Sequence, residues 1–444
     1  MITDMTEGSI TKNIWKFCIP LLISGMFQQI YTIADSMIVG RFVSEHAFAA
    51  VGNSYEITLI FLAFATGCNI GCSVVISQYF GAKRIDEMKT AVSTTFISCS
   101  LLGIFLTIIG RCFSGVFLEF INTPSEIMAD SQLYMNIYTY GVLFVILYNV
   151  CTGIFTALGD SKTPLLFLIC SSVTNVALDL LFVVKFGMGV GGAAWATFIA
   201  QAGACVASAA VIKIKLSAFG GRQTKIFSAS MLAKLSRVAV PSIFQQSFVS
   251  VGNIIIQSVV NSFGPAVIAG YSAAVKMNNF AISSFMTLAN GMSNFAAQNI
   301  GAKKYENVKK GVKSGLIMAA SIATPFVILY MAAPQFFIKL FISSPSADAL
   351  KSGVQFLRTV SVFYYVVIIK LICDSVIRGA AAMKYFLVGT FTDLVLRVVL
   401  SFVFSSALQS SSGIWISWPF GWAAAAILSC YFYKTNKWLK KDLI

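Results

Sequence analysis

Long apolar stretches and short polar breaks alternate along the whole of this 444-residue chain. Most of the apolar stretches exceed the roughly 20 residues that an α-helix needs to cross about 30 Å of hydrocarbon at 1.5 Å per residue. Turn residues and charged breaks separate twelve of them, near 13–42, 47–80, 90–114, 132–158, 163–185, 191–214, 232–262, 265–299, 311–342, 352–378, 385–406 and 412–433. The pattern predicts an all-α polytopic membrane protein with twelve transmembrane helices and almost no soluble part.

The twelve stretches fall into two sets of six that can be laid on one another. FCIPLLISGMFQQIYTIADSMIVGRF places Pro20 and Phe42 against Pro241 and Phe263 of VAVPSIFQQSFVSVGNIIIQSVVNSF. One span later Gln78, Gly81, Ala82 and Lys83 fall on Gln298, Gly301, Ala302 and Lys303, and further on Thr174-Asn175 falls on Thr392-Asp393. An even number of spans per half starts both halves on the same side, which predicts two pseudo-symmetric six-helix bundles around a cleft that opens alternately to either side. The expected organisation is a tail over 1–12, a first lobe over 13–214, a linker over 215–231, a second lobe over 232–433 and a basic tail over 434–444. A duplicated chain encloses its own cleft, so a monomer is expected.

Composition supports this reading, with 57% hydrophobic and 11% charged residues and 38 phenylalanines. The net charge of +15 would suit nucleic acid, but its placement argues against that partner. Lysine and arginine crowd alternate breaks, GAKRIDEMK at 81–89, KIKLSAFGGRQTK at 213–225, GAKKYENVKKGVK at 301–313 and KTNKWLKKD at 434–442, whereas SGVFLEFINTPSEIMADSQ at 114–132 is acidic. By the positive-inside rule the basic breaks and both termini are cytoplasmic, and the chain sits in the plasma membrane. MITDMTEGSITKN is short, polar and continuous with the first span, so no cleaved signal is expected. Ten scattered cysteines without a CxxC pair are expected to be free thiols. The Gly-Ala-Lys breaks lack P-loop spacing and read as turns. No hydrolytic motif is present, so neither an enzyme nor a cofactor is expected and transport would draw on an ion gradient.

Chemistry inside the spans is sparse. A carboxylate at membrane depth costs roughly 2.5 kcal/mol or more, so each one requires a reason. Asp35 in YTIADSMIVG and Asp179 in VTNVALDLL each stand six residues before a base at the outer end of their helix, about 9 Å along the axis, so both reach one depth. Tyr31 and Asn175 lie four residues from Asp35 and Asp179 on the same helix faces, and Thr197 enters at the same level. Two acids in a dry pocket repel, so this cluster can hold a proton, and its oxygens equally suit a sodium ion; the plainer role is helix-to-helix hydrogen bonding. In the second half Lys370 with Asp374 and Asp393 with Arg397 read as structural ion pairs. Gln28, Asn253, Gln257 and Lys276 are the polar candidates for the cleft; Met26, Met37, Met277 and Met286 suit an adaptable apolar lining. His46 reads as a solvated loop residue.

Taken together, the two six-span halves, Pro20 ahead of Asp35, the paired Q-x-x-G-A-K breaks, TALGDSKTP at 156–164 and GIWISWPFGW at 413–422 resemble the multidrug and toxic compound extrusion (MATE) family over nearly the whole chain. The resemblance implies an antiporter that exports amphipathic, often cationic, small molecules in exchange for protons or sodium ions. It further implies that Tyr31, Asp35, Asn175, Asp179 and Thr197 match the first-half ion site of the branch resembling DNA-damage-inducible members. Another branch carries an acid in its seventh span, where this chain has only Asn253 and Gln257. A flippase for lipid-linked saccharides from the wider superfamily is the alternative, kept open by Lys276, Lys370 and Arg397.

Overall fold

A computed structural model describes residues 3–42, 45–121, 123–221, 225–342 and 345–440, and the side chains of 33–42, 45–48, 56 and 440 lie outside the description. The expectations for the side chains of Asp35, Met37 and His46 therefore fall outside the described residues.

The described residues are helical, with no strand among them. In chain order the helices are α1 Ile10–Phe42, α2 Glu45–Gly81, α3 Ile85–Phe120, α4 Ser125–Ala157, α5 Lys162–Asp179, α6 Gly189–Ser217 and α7 Ala229–Asn261, followed by α8 Pro265–Gly301, α9 Tyr305–Ala332, α10 Pro334–Lys339, α11 Ala347–Ser361, α12 Tyr364–Gly379, α13 Met383–Leu408 and α14 Ser412–Lys434. Where the sequence predicts one span over 352–378, the chain forms α11 and α12, bent by 50° to one another. Counting that pair once and setting aside the short α10, twelve long helices result among the described residues, of which ten are long and apolar enough to cross a membrane. α11 starts earlier than hydropathy suggests because it is amphipathic: Ala349, Phe356 and Val360 are buried while Lys351 and Arg358 are not. Its start is capped by Ser346, whose hydroxyl accepts from the Ala349 amide at 3.3 Å.

By contact the chain forms two compact units, one of Met1–Asp4 and Ile23–Ile243, the other of Met5–Leu22 and Phe244–Ile444. The division runs through the middle of α1 and of α7, close to Pro20 and Pro241. In the first unit α4 is central and packs against α2, α3 and α6. Val142, Ile146, Val150 and Ile154 recur every fourth residue along it and have no exposed surface, a single apolar ridge seated among its neighbours. In the second unit Tyr271 stacks on Trp415 at 5.2 Å, with Phe356 edge-on to both at 5.3 Å. That cluster needs α8 and α11 to cross closely, and Gly270 and Gly353 permit it, since a Cβ on Gly270 would collide with the Ala349 carbonyl.

The duplicated Gly-Ala-Lys breaks have one physical cause. After α2 the amides of Ala82, Lys83 and Arg84 donate to the carbonyls of Gln78, Phe80 and Tyr79, and after α8 those of Ala302, Lys303 and Lys304 donate to Gln298, Ile300 and Asn299. Both are helix-terminating turns with a left-handed residue, Lys83 at φ 57° and Lys303 at φ 59°. The motif caps helices.

Candidate ion site in the first unit

Asp179 is the last residue of α5, and the helix does not stop there: Leu180–Lys185 continues as a π-turn, closed by the Phe186 amide donating to the Leu181 carbonyl at 3.0 Å. Such a turn widens the helix and commonly marks a functional position. The expected depth of Asp179, counted back from Lys185, presumes a regular α-helix, and the wider turn alters both the depth and the rotation of the residues beyond Asp179.

Asp179 has no exposed surface and Asn175 is 1% exposed. The Asn175 amide fits its neighbours in one orientation: its nitrogen donates to Asp179 Oδ2 at 3.0 Å and lies 2.7 Å from Tyr31 Oη, and its oxygen accepts from Thr197 Oγ1 at 3.3 Å and Thr197 N at 3.1 Å. The structure thus brings four of the five expected residues together, from α1, α5 and α6. Asp35 lies on α1, four residues beyond Tyr31, with its side chain outside the description. The cluster offers a carboxylate and an amide that are buried, and a phenol and a hydroxyl that are half-buried. Oxygen ligands of this kind suit a hard cation or a proton. Among the described residues no group of three or more His, Cys, Asp or Glu has metal-binding spacing.

Of the expected cleft residues, Gln28, Asn253 and Lys276 are exposed and Gln257 is half-buried. The Lys276 ammonium lies 5.3 Å from the centre of the Phe341 ring, a cation–π contact in place of the acid that its own helix lacks. Gln257 donates to Asn261 Oδ1 at 2.8 Å.

The second unit carries the helical ion pairs. Lys370 Nζ stands 3.0 Å from Asp374 Oδ2, and Ser429 Oγ donates to Asp374 Oδ1 at 2.6 Å. Arg397 Nε is 3.9 Å from Asp393 Oδ1, and its guanidinium lies 4.6 Å from the centre of the Trp418 ring. A further cation escaped the sequence reading: Arg378, buried near the end of α12, donates to Asn290 Oδ1 at 2.7 Å and Ser293 Oγ at 3.3 Å. Asp160 also went unassigned to any contact. It accepts from Thr163 N at 3.1 Å, from Thr163 Oγ1 at 2.7 Å and from Lys215 Nζ. The sequence signal was there in DSKT, an acid three residues before the amide that it binds, just ahead of α5.

This arrangement of helices and buried polar groups is that of a membrane transporter. The model of one family, MatE, matches the chain twice, over residues 20–181 and 241–403. The chain belongs to that family, the MATE transporters of multidrug efflux. Similar chains include the probable multidrug resistance proteins YpnP and YoeA of Bacillus subtilis (strain 168). YpnP is 29% identical over 98% of this chain and 97% of its own length; YoeA is 27% identical over 99% and 97%. Among solved structures, a MATE in complex with MaL6 has a TM-score of 0.92 at 23% identity, covering 99% of both chains. A MOP superfamily transporter from Pyrococcus furiosus Vc1 (DSM3638) has a TM-score of 0.91 at 23% identity over 99% of this chain and 98% of the other. These likenesses establish the twelve-helix, two-bundle fold of a multi-pass membrane protein.

Proposed function

We propose that the chain is a secondary multidrug exporter that moves amphipathic, often cationic, small molecules against an inward flow of protons or sodium ions by alternating access, with its termini in the cytoplasm and a single chain as the working unit. The observation that carries the reading is the fully buried Asp179 carboxylate, held by Asn175 beside Tyr31 and Thr197. A charge at membrane depth costs about 2.5–3.5 kcal/mol by insertion scales, so a buried carboxylate there calls for a function. A bound proton or cation neutralises it, and the arrival or loss of that ion changes the charge that a cationic substrate feels. Asp35, four residues from Tyr31, supplies the second carboxylate of this reading. Ion and substrate then compete for one negative field, and the gradient of the first drives export of the second.

The test is ethidium export from proteoliposomes with a proton gradient or a sodium gradient imposed separately, for the wild type, Asp35→Asn and Asp179→Asn. Export by the wild type that follows one gradient and falls at least tenfold in both variants is the expected result. Full export by either variant removes that carboxylate from the coupling step. Export that ignores both gradients ends the antiport reading and brings the flippase forward.

A further inference from the structure

α3 and α6 each pack along α4 and hardly touch one another. Their ends nearest the linker therefore stand apart and leave a groove of about 540 Å³, walled by Val92, Phe96 and Ile97 of α3 and by Ala209, Ile212 and Leu216 of α6. All of this lies within the first unit and away from Asp179.

Two lysines stand at the mouth of the groove, and they differ. Lys89 commits its ammonium to the carbonyls of Phe219 at 2.9 Å and of Gly220 and Gly221 at 3.2 Å each, so it contributes charge but no spare donor. Lys213 is exposed and makes no hydrogen bond or ion pair among the described residues. The chain leaving α6 is pinned across the end of α3, with Ser93 Oγ donating to the Ile226 carbonyl at 2.6 Å and the Ser228 amide donating to Thr94 Oγ1 at 3.2 Å. This pinned stretch adds Ile226, 72% exposed, to the wall of the groove and leaves Phe227 42% exposed beside it. Bulky apolar side chains uncovered beside lysines at the end of membrane helices match the depth at which hydrocarbon meets headgroups. Of the acids at this end, Glu87 is paired with Arg84 and Asp160 with Lys215, which leaves Asp86, beside Gly221, against the two lysines of the mouth.

We propose that this groove binds an anionic diacyl phospholipid, with its acyl chains along the α3 and α6 walls and its phosphate at Lys213. Charge complementarity selects the headgroup and the apolar walls select the chains, so a free phosphate lacks half of the interaction. A basic side chain near an anionic membrane surface contributes about a fivefold change in affinity.

Native mass spectrometry of the full chain in detergent tests the site, with phosphatidylglycerol or phosphatidylcholine added. Phosphatidylglycerol is expected to stay bound to the wild type and to Lys213→Arg, and to fall about fivefold or more in Lys213→Glu and in the groove-filling Ala209→Phe. Inorganic phosphate should not compete. Equal retention of the two lipids overturns the proposal, as does competition by phosphate. So does a loss in Lys213→Glu without a loss in Ala209→Phe, because surface charge alone then explains the binding. Gel filtration establishes that Ala209→Phe remains monodisperse, and Ile212→Trp fills the same groove from a second position if it does not.

Discussion

Asp160, buried and bound by Lys215 and Thr163, shows how a single residue sets a pH limit. Burial pushes its carboxyl up, but the bonds from Lys215 and Thr163 outweigh burial and hold it below the ordinary carboxylate range. A group depressed in the folded state gives stability that is complete above its unfolded value, near 3.9, and that fades as pH falls through the folded value. The thermal midpoint of detergent-solubilised protein should therefore be insensitive to Asp160 from about pH 5 upward and decline in more acid solution. Asp160→Asn should lose that part of the acid decline and start from a lower plateau. Lys215→Met should lower stability at neutral pH by about 2–4 kcal/mol, since it leaves a buried carboxylate without its cation; an unchanged midpoint would show the pair to be idle. At the proposed ion site, Tyr31→Phe removes one hydroxyl beside Asn175 and should reduce gradient-driven export severalfold, less than Asp179→Asn. The partners at this site differ in how openly the sequence shows them. Asn175 and Asp179 are four residues apart on one helix, and that spacing is readable by eye. The amide orientation of Asn175 and the contact with Thr197 depend on a neighbouring helix, which spacing within α5 does not encode. Arg378 escaped because Asp374, four residues before it, was already assigned to Lys370, and its hydrogen-bond partners Asn290 and Ser293 lie on another helix.

Among the elements, the two Gly-Ala-Lys turns offer the cleanest prediction. Lys303 is exposed and holds a left-handed backbone that costs a residue with a Cβ about 1 kcal/mol or more. Lys303→Gly relieves this, partly offset by the greater freedom of glycine in the unfolded chain, for a net gain of about 0.5 kcal/mol. Lys303→Val should destabilise by more than the glycine gains, because β-branching crowds the same conformation further. A thermal-melt comparison of the three proteins decides it, and no gain in the glycine variant would locate the cost of the turn elsewhere. Most helices were legible because length and apolarity are composition-level properties. Two departures were not. Nothing in SVFYY, which joins α11 to α12, contains proline or glycine, so the bend carries no local mark. The π-turn after Asp179 is a shift in hydrogen-bond partner, which residue type alone does not specify.

For the molecule as a whole, the alternation of basic and acidic breaks predicts sidedness. In a background cleared of native cysteines, Lys309→Cys should resist an impermeant maleimide added to intact cells, and Glu126→Cys should react. The reverse result would invert the chain in its membrane. The division of the chain at Leu22 and Ile243 carries a different meaning. Each compact unit is completed by the opening stretch of the first helix of the other half, and the two dividing points are separated by the same 221 residues as Pro20 and Pro241. A gene of half this length would encode a bundle missing that stretch. Two copies of such an ancestor would have had to trade the starts of their first helices, as domain-swapped dimers do. Fusion of two such copies would make the trade permanent and free each half to change its polar residues separately. A modern trace should persist: polypeptides cut within 218–228 and produced together should reassemble, whereas either one produced alone should be degraded.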